Sequence, residues 1–138
     1  MPEIFLDTNV LAYLYDDGEP SKQIAAGRLL QRPGHRFTVS TQVLLELHSV
    51  LTRKFRPPVG LDDAQVVVAR LAQLPCVTTD ADLVVRAATT ARDHQLNIWD
   101  AMVVEAAAEA GCTELWTEDL ATGSTLRGVT IVDPFVSR

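Results

Sequence analysis

The sequence predicts an α/β fold in which helices cover both faces of a mostly parallel sheet. One observation supports this fold class, and a second supports a single domain. Short apolar runs, typical of strands buried on both faces, alternate with longer segments whose apolar residues recur at helical spacing. The chain also contains no internal repeat, low-complexity tract or linker, so we expect its 138 residues to form a single domain, 1–138.

The first half of the chain supplies two strands and two helices. "EIFL" and "RFTVS" are short apolar runs of the kind found in buried strands. "SKQIAAGRLLQR" carries Ile24, Leu29 and Leu30 at helical spacing, and the Pro33-Gly34 pair after it predicts the end of that helix. "TQVLLELHSVLTRKF" is predicted as one helix, because its apolar residues fall at intervals of three and four until "RPPVG" ends it.

The second half continues the alternation of helices and strands. "LDDAQVVVARLAQL" is predicted as a helix closed by Pro75, and "CVTT" as a short strand. "DADLVVRAATTARDHQL" is predicted as a helix capped by Asp80 or Thr79. "NIWDAMVVEAAAEAG" is a further helix with Gly111 just past its C-terminus, and "TELWT" and "GVTIVD" are the closing strands.

Composition restricts the class of protein. Apolar residues make up 47% of the chain and charged residues 22%, which is ordinary for a soluble globular protein. No apolar run approaches the roughly 18 residues that span a bilayer, and no signal peptide is apparent, so we expect a cytoplasmic protein without a membrane partner. The net charge of −6 argues against nucleic-acid binding by bulk electrostatics, but it allows a cation at a local acidic site. Cys76 and Cys112 match no metal or redox spacing and are expected to be buried free thiols.

Four acidic residues stand where ligands gather in parallel sheets, near the carboxyl ends of strands. Asp7 ends the first strand, and Asp119 follows the strand "ELW". Asp100 lies in the first turn of the "NIWDAM" helix, and Glu46 lies at the margin of an apolar helical stripe. Like charges held this close would destabilise the fold unless a cation lay among them. Oxygen ligands without His or Cys indicate Mg²⁺ or Mn²⁺.

Each acid also has an ordinary structural interpretation. Asp7 could cap a helix beginning near Val10, and Asp119 could simply terminate a strand in a turn. Asn97 and Asp100 resemble a capping box. Glu46 could pair with a cation further along its helix, Arg53 or Lys54. These interpretations remain open from the residues alone.

An ordered set of motifs resembles a known family. "FLDTNVLAYL", the Glu in "STQVLLELHSVL", and "WDAMVVEAAAEAGCTELWTEDL" together resemble the PIN-domain family, and within it the VapC-type ribonuclease toxins of type II toxin–antitoxin systems. The resemblance implies a three-layer α/β/α sandwich with a mostly parallel central sheet. It also implies an endoribonuclease that hydrolyses RNA phosphodiester bonds with Mg²⁺ or Mn²⁺, leaving a 5′-phosphate and a 3′-hydroxyl.

The resemblance assigns roles to particular residues. Its catalytic acids correspond to Asp7, Glu46, Asp100 and Asp119. We expect the metal to be held by three of these, Asp7, Asp100 and Asp119, and Glu46 to position or deprotonate the attacking water. The supporting residues, which orient the carboxylates by hydrogen bonding, correspond to Asn9 and Thr117.

Substrate and protein partners are expected as well. Arg53, Lys54 and Arg56 in "TRKFR" form the densest basic cluster and could hold RNA phosphates, although cations are also favoured at a helix C-terminus. The resemblance implies a cognate antitoxin, a small DNA-binding protein that covers the acidic pocket, and a homodimer.

Other functions are weighed against this one. A haloacid-dehalogenase-type phosphatase needs a second Asp where Asn9 stands, and a receiver domain needs a Lys late in the chain, whereas the only lysines are Lys22 and Lys54. Two alternatives stay open: an RNA-processing nuclease of the same fold outside a toxin–antitoxin system, and a catalytically silent interaction module.

Overall fold

The computed structural model describes residues 2–136 and is built around a six-stranded sheet. The strands are β1 (Glu3–Leu6), β2 (Arg36–Ser40), β3 (Cys76–Val77), β4 (Glu114–Trp116), β5 (Thr125–Leu126) and β6 (Val129–Val132). They lie side by side in the order β3-β2-β1-β4-β6-β5. Neighbouring strands are parallel except β5 and β6, which are antiparallel.

Helices flank this sheet, which confirms the predicted three-layer α/β/α sandwich. They are α1 (Thr8–Ala12), α2 (Pro20–Leu30), α3 (Thr41–Ser49), α4 (Leu61–Leu71), α5 (Ala81–His94) and α6 (Ile98–Glu109). A 3₁₀ turn (Tyr13–Tyr15) follows α1, and a π-helical turn (Val50–Lys54) follows α3. No helix within residues 2–136 is long and apolar enough to cross a bilayer.

The register between β1 and β4 determines where the functional edge lies. Leu6, the last residue of β1, pairs with Trp116, the last residue of β4. The Asp7 amide donates to the Trp116 carbonyl at 3.1 Å, so Asp7 and Thr117 leave the sheet side by side. The chain is fixed there because Ile4, Phe5 and Leu6 of β1 are buried between neighbouring strands and covering helices.

Helix α6 is a core helix, and its ends were predicted correctly. Residues 101–107 are all buried, which explains why this helix is apolar nearly all round. Asn97 caps its N-terminus by accepting from the Asp100 amide at 2.9 Å. Gly111 follows its C-terminus with a φ of +73°, a conformation that favours glycine. Asp80 caps α5 in the same way, as one of the two predicted alternatives.

Some local predictions were wrong. Helix α1 begins at Thr8, directly after its cap Asp7 and two residues before the start near Val10 that the sequence suggested. The helix predicted to run from Thr41 to Phe55 is α-helical only to Ser49 and continues as the π-helical turn. Strand β5 was not predicted, because a two-residue strand carries no periodicity and depends on its antiparallel pairing with β6.

Burial of one cysteine was also predicted wrongly. Cys112 is buried, but Cys76 is exposed because it lies on β3, the edge strand of the sheet. The prediction that residues 1–138 form one domain includes Met1, Ser137 and Arg138, which lie outside the described residues, and it stays a prediction.

Candidate functional site

Asp7 is a buried carboxylate at the junction of β1 and α1. Its side chain is 6% exposed; Oδ1 accepts from the Thr8 amide at 2.7 Å and Oδ2 from the Thr117 hydroxyl at 2.8 Å. No Lys, Arg or His within residues 2–136 forms an ion pair with it. Asp7 therefore does cap α1, as its ordinary interpretation held, but a cap alone does not require a buried charge without a cation.

The charge of Asp7 is unfavourable as the chain stands. Burial raises the pKa of Asp7 from its ordinary value of 3.8 to about 6. The hydrogen bonds from Thr117 and Thr8 lower this pKa, whereas the carboxylates of Asp119 and Glu46 raise it. A divalent cation beside Asp7 would relieve both the desolvation and the repulsion.

Thr117 connects Asp7 to the loop that follows β4. The side chain is fully buried, and its hydroxyl donates to Asp7 while accepting from the Asp119 amide at 3.0 Å. The same hydroxyl accepts from the side-chain nitrogen of Asn9 at 3.4 Å. The side-chain oxygen of Asn9, Oδ1, accepts from the backbone amide of Glu118, also at 3.4 Å. Thr117 thus contacts a predicted carboxylate, that of Asp7, whereas Asn9 contacts Thr117 and the backbone of the loop that carries Asp119.

Glu46 is held from both sides by polar side chains. One carboxylate oxygen accepts from the Thr8 hydroxyl at 3.0 Å and the other from the Gln42 amide at 2.8 Å. The same Gln42 nitrogen lies 3.5 Å from the backbone carbonyl of Trp99, which precedes Asp100 in the first turn of α6. Glu46 forms no ion pair with a cation of its own helix within the described residues.

Gln42 was missed in the sequence, although it bridges the two helices that carry Glu46 and Asp100. The available signal was weak: a long polar residue one helical turn before Glu46, on the side of α3 that turns out to be buried. Gln42 as a whole is only 8% exposed in the folded chain. A buried amide of this kind must be hydrogen-bonded, which fixes its orientation.

Asp100 lies at the edge of this acidic group. Burial raises its pKa, the Asn97 side chain lowers it, and the carboxylates of Asp119 and Glu46 raise it further. Asn97 donates to the Asp100 carboxylate at 2.9 Å, so the predicted capping interaction is present. Asp100 is therefore near enough to Asp119 and Glu46 for their charges to act on it.

Three of the four predicted acids line one cavity of about 360 Å³: Asp7, Glu46 and Asp119. Asp100 is not among its lining residues. Of the predicted basic cluster, Lys54 lines the cavity, whereas Arg56 donates one guanidinium nitrogen to the carbonyls of Arg53 and Phe55. Arg56 therefore caps the end of its helical segment, as the alternative interpretation of this cluster proposed.

The donor set fits a hard divalent ion. Within residues 2–136, no three His, Cys, Asp or Glu side chains converge closely enough to hold a metal by themselves. Mg²⁺ does not need such a cluster, because it keeps several waters and usually takes one or two carboxylates directly. Asp7 is buried, forms no ion pair in the described part of the chain and shares a cavity with Asp119 and Glu46, so it supplies the kind of oxygen ligand that this ion prefers.

Replacing Thr117 by Val should weaken this site and the fold together. The change keeps the shape of the side chain but removes the donor to Asp7 and the acceptor for the Asp119 amide. We expect the free energy of unfolding to fall by about 1–3 kcal/mol, as for other buried polar groups that lose their partner. Urea unfolding of the metal-free protein measures this, and the control is Thr125→Val on the edge strand β5, where the exposed hydroxyl forms no hydrogen bond within residues 2–136. Equal stability of the two variants would contradict the prediction.

Comparison with known proteins finds a matching family and similar structures. A family model described as the PIN domain matches residues 4–121 of the chain. The structure of the VapC20 toxin from Mycobacterium tuberculosis, a sarcin-ricin loop cleaving toxin, is 25% identical, with a TM-score of 0.67 over 84% of this chain and 91% of that chain. No curated protein sequence matches this chain significantly.

Two further structures share the fold at lower identity. A toxin–antitoxin complex from Klebsiella pneumoniae is 18% identical, with a TM-score of 0.71 over 96% of this chain and 98% of that chain. VapBC2 from Rickettsia felis, bound to a DNA fragment from their promoter, is 15% identical, with a TM-score of 0.61 over 94% and 96% of the two chains. Likeness at these identities concerns the fold alone.

Proposed function

We propose that this chain, which belongs to the PIN domain family, is a metal-dependent endoribonuclease and the toxin of a toxin–antitoxin pair. The observation that carries the proposal is Asp7, a buried carboxylate that forms no ion pair within residues 2–136 and shares one cavity with Asp119 and Glu46. An ordinary structural role would not place these acids where they repel one another. The similar VapC20 toxin, which cleaves the sarcin-ricin loop, supports an RNA substrate.

Each side chain of the site has a proposed role in hydrolysis. Asp7, Asp100 and Asp119 would hold Mg²⁺ or Mn²⁺, directly or through water, and Asn9 and Thr117 would orient Asp7 and the Asp119 loop. An ion held there would supply Lewis-acid chemistry, that is, polarisation of a phosphoryl oxygen and a lower pKa for a coordinated water. Glu46, fixed by Thr8 and Gln42, would orient the attacking water or accept its proton.

The pocket also indicates how an antitoxin would inhibit the enzyme. Its acids carry no ion-paired cation within residues 2–136, so a basic side chain of a partner would be attracted to them. A similar structure is a toxin–antitoxin complex, which supports such a partner. We propose a cognate antitoxin that covers this cavity; homodimerisation and a cytoplasmic location stay predictions.

Cleavage of an RNA panel by purified protein tests the proposed activity. The panel contains single-stranded RNAs and a hairpin with the sarcin-ricin loop, each with Mg²⁺, Mn²⁺ or EDTA, after mass spectrometry has shown that no antitoxin is bound. We expect cleavage with either metal, none with EDTA, and products that carry 5′-phosphates. Folded protein that neither cuts any of these RNAs nor binds Mn²⁺ would support the silent interaction module instead.

Lys54 should contribute to substrate binding, because it is the predicted basic residue that lines the acidic cavity. We expect Lys54→Met to raise the KM for RNA about threefold to tenfold and to reduce the slope of log KM against log salt by about 0.7, the loss of one phosphate contact. The control is Arg92→Met on α5, whose side chain is 75% exposed and pairs only with the neighbouring Asp93 within the described residues. An unchanged salt slope would remove Lys54 from the RNA-binding surface.

A further inference from the structure

Lys22 on α2 contacts Glu118, the neighbour of Asp119 in the chain. Its ammonium donates to the Glu118 carboxylate at 2.7 Å and to the Tyr13 hydroxyl at 3.1 Å. The Tyr13 hydroxyl donates to the other Glu118 oxygen at 2.7 Å. The three polar groups thus form a closed triangle in which each contacts the other two.

Four separate segments of the chain meet at this ammonium. Tyr13 lies in the 3₁₀ turn after α1, Glu118 in the loop after β4, and Phe135 in the C-terminal segment. Nζ of Lys22 lies 4.7 Å from the centroid of the Tyr13 ring and 5.7 Å from that of Phe135. The two rings pack edge to face, with centroids 5.1 Å apart.

The loop that Glu118 occupies carries one of the proposed metal ligands. Glu118 stands between Thr117, which donates to Asp7, and Asp119, which lines the cavity. Asp119 is exposed, and its carboxylate accepts no hydrogen bond from residues 2–136. Its position therefore depends on the backbone of the loop. Two hydrogen bonds hold that backbone, from the Asp119 amide to Thr117 at 3.0 Å and from the Glu118 amide to Asn9 at 3.4 Å, and neither holds the Glu118 side chain.

We propose that Lys22 is a positioning residue: with Tyr13 it clamps the Glu118 carboxylate and thereby fixes the loop that presents Asp119 to the acidic pocket. This inference rests on the proposed function, because it gives the clamp a purpose in metal binding and catalysis. Stability alone explains the arrangement poorly. The Lys22 side chain is 38% exposed and that of Glu118 21%, and ion pairs with this access to solvent contribute little to folding.

Two other roles for Lys22 lead to different results. If Lys22 bound RNA phosphate, its loss would raise the KM for RNA whether or not Glu118 is present. If it only kept the Glu118 charge away from the metal, removal of Glu118 would restore the activity lost with Lys22. The geometry favours the clamp, because the ammonium already has two oxygen partners and two aromatic rings around it.

A double-mutant cycle distinguishes these roles. The variants are Lys22→Met, Lys22→Arg, Glu118→Ala and the double variant Lys22→Met/Glu118→Ala, with Arg28→Met, an exposed cation of the same helix, as the control. Three quantities are measured for each: kcat and KM for a cleaved RNA, the half-saturating Mn²⁺ concentration without RNA, and the melting temperature of the metal-free protein.

The clamp predicts coupled losses. We expect Lys22→Met and Glu118→Ala each to lower kcat about 10-fold, because small displacements of a catalytic group are costly, with KM changed less than about twofold. Both should raise the half-saturating Mn²⁺ concentration several-fold. The kcat of the double variant should be no lower than that of the less active single variant. Lys22→Arg should keep most of the activity, because a guanidinium can still donate to Glu118, and Arg28→Met should match the wild type.

Other outcomes overturn the proposal. Additive losses, a change confined to KM, or restored activity in the double variant would each reject the clamp. The Mn²⁺ titration separates this failure from failure of the proposed function. Wild-type protein that binds Mn²⁺ but cuts no RNA would reject the ribonuclease and leave the clamp testable. Unchanged Mn²⁺ affinity in Lys22→Met would reject the clamp even if RNA is cleaved.

Discussion

Asp7→Asn is expected to lower metal-dependent RNA cleavage by at least about 100-fold, since changes to residues that merely support metal ligands already cost 10–100-fold. Asn keeps the shape of the side chain and can still accept from the Thr8 amide, but it carries no charge to bind the ion. The variant should therefore remain folded while its affinity for Mn²⁺ falls with its activity. Initial rates on one cleaved RNA, together with a Mn²⁺ titration, measure both effects.

The matched control is Asp82→Asn on α5. Its side chain is 78% exposed and forms only a surface ion pair with Arg86 within the described residues, so we expect wild-type cleavage and Mn²⁺ binding. Cleavage by Asp7→Asn at more than a tenth of the wild-type rate would contradict the assignment of Asp7 to the metal. Loss of cleavage with Mn²⁺ affinity unchanged would move Asp7 from metal binding to another step.

The same substitution should stabilise the metal-free protein, by an amount that depends on pH. Asp7 has a folded-state pKa of about 6, against an ordinary value of 3.8, so the folded chain retains the proton longer than the unfolded chain. The contribution of Asp7 to the stability of the folded chain is accordingly full below about pH 3.8, falls as the pH rises from about 3.8 to about 6, and stays low above about 6. The shift corresponds to about 3 kcal/mol at most.

Urea unfolding between pH 4 and 7.5 in EDTA measures this dependence as the difference between Asp7→Asn and the wild type. We expect Asp7→Asn to be little more stable than the wild type near pH 4 and about 1–3 kcal/mol more stable at pH 7. The gain falls short of the full shift because Asn loses part of the hydrogen bonding with Thr117. Mg²⁺ or Mn²⁺ should remove the advantage at pH 7 by stabilising only the wild type. A difference that does not change with pH would show that Asp7 is not the group that titrates.

This balance resembles other functional sites, in which a charge needed for chemistry lowers the stability of the fold. Asp7 is buried because it follows the central strand directly, and its repulsion by Asp119 and Glu46 adds to the cost of burial. The chain offsets part of that cost with hydrogen bonds from Thr117 and Thr8. Binding of a divalent cation would relieve the cost of burying the Asp7 charge that is left.

The sequence predicted the fold class and most element positions because their signals are local. Apolar runs, helical spacing, caps such as Asn97 and Asp80, and stops such as Gly111 depend on residues a few positions apart. Errors arose where pairing with a distant segment decides the structure. Strand β5 exists only through its pairing with β6, and Cys76 is exposed only because β3 lies at the sheet edge.

The sequence by itself determined that the chain is an α/β protein with acids near the carboxyl ends of its strands, because residue type and spacing carry both facts. Only the tertiary structure decided how those acids are held. Asp7 and Thr117 are 110 positions apart, and Lys22 and Glu118 are 96 apart, yet each pair is in direct contact. Gln42 on α3 likewise joins Glu46 to Trp99 in the first turn of α6, next to Asp100. Such contacts follow from strand order and helix packing, which place distant residues together without leaving a periodic pattern in the chain.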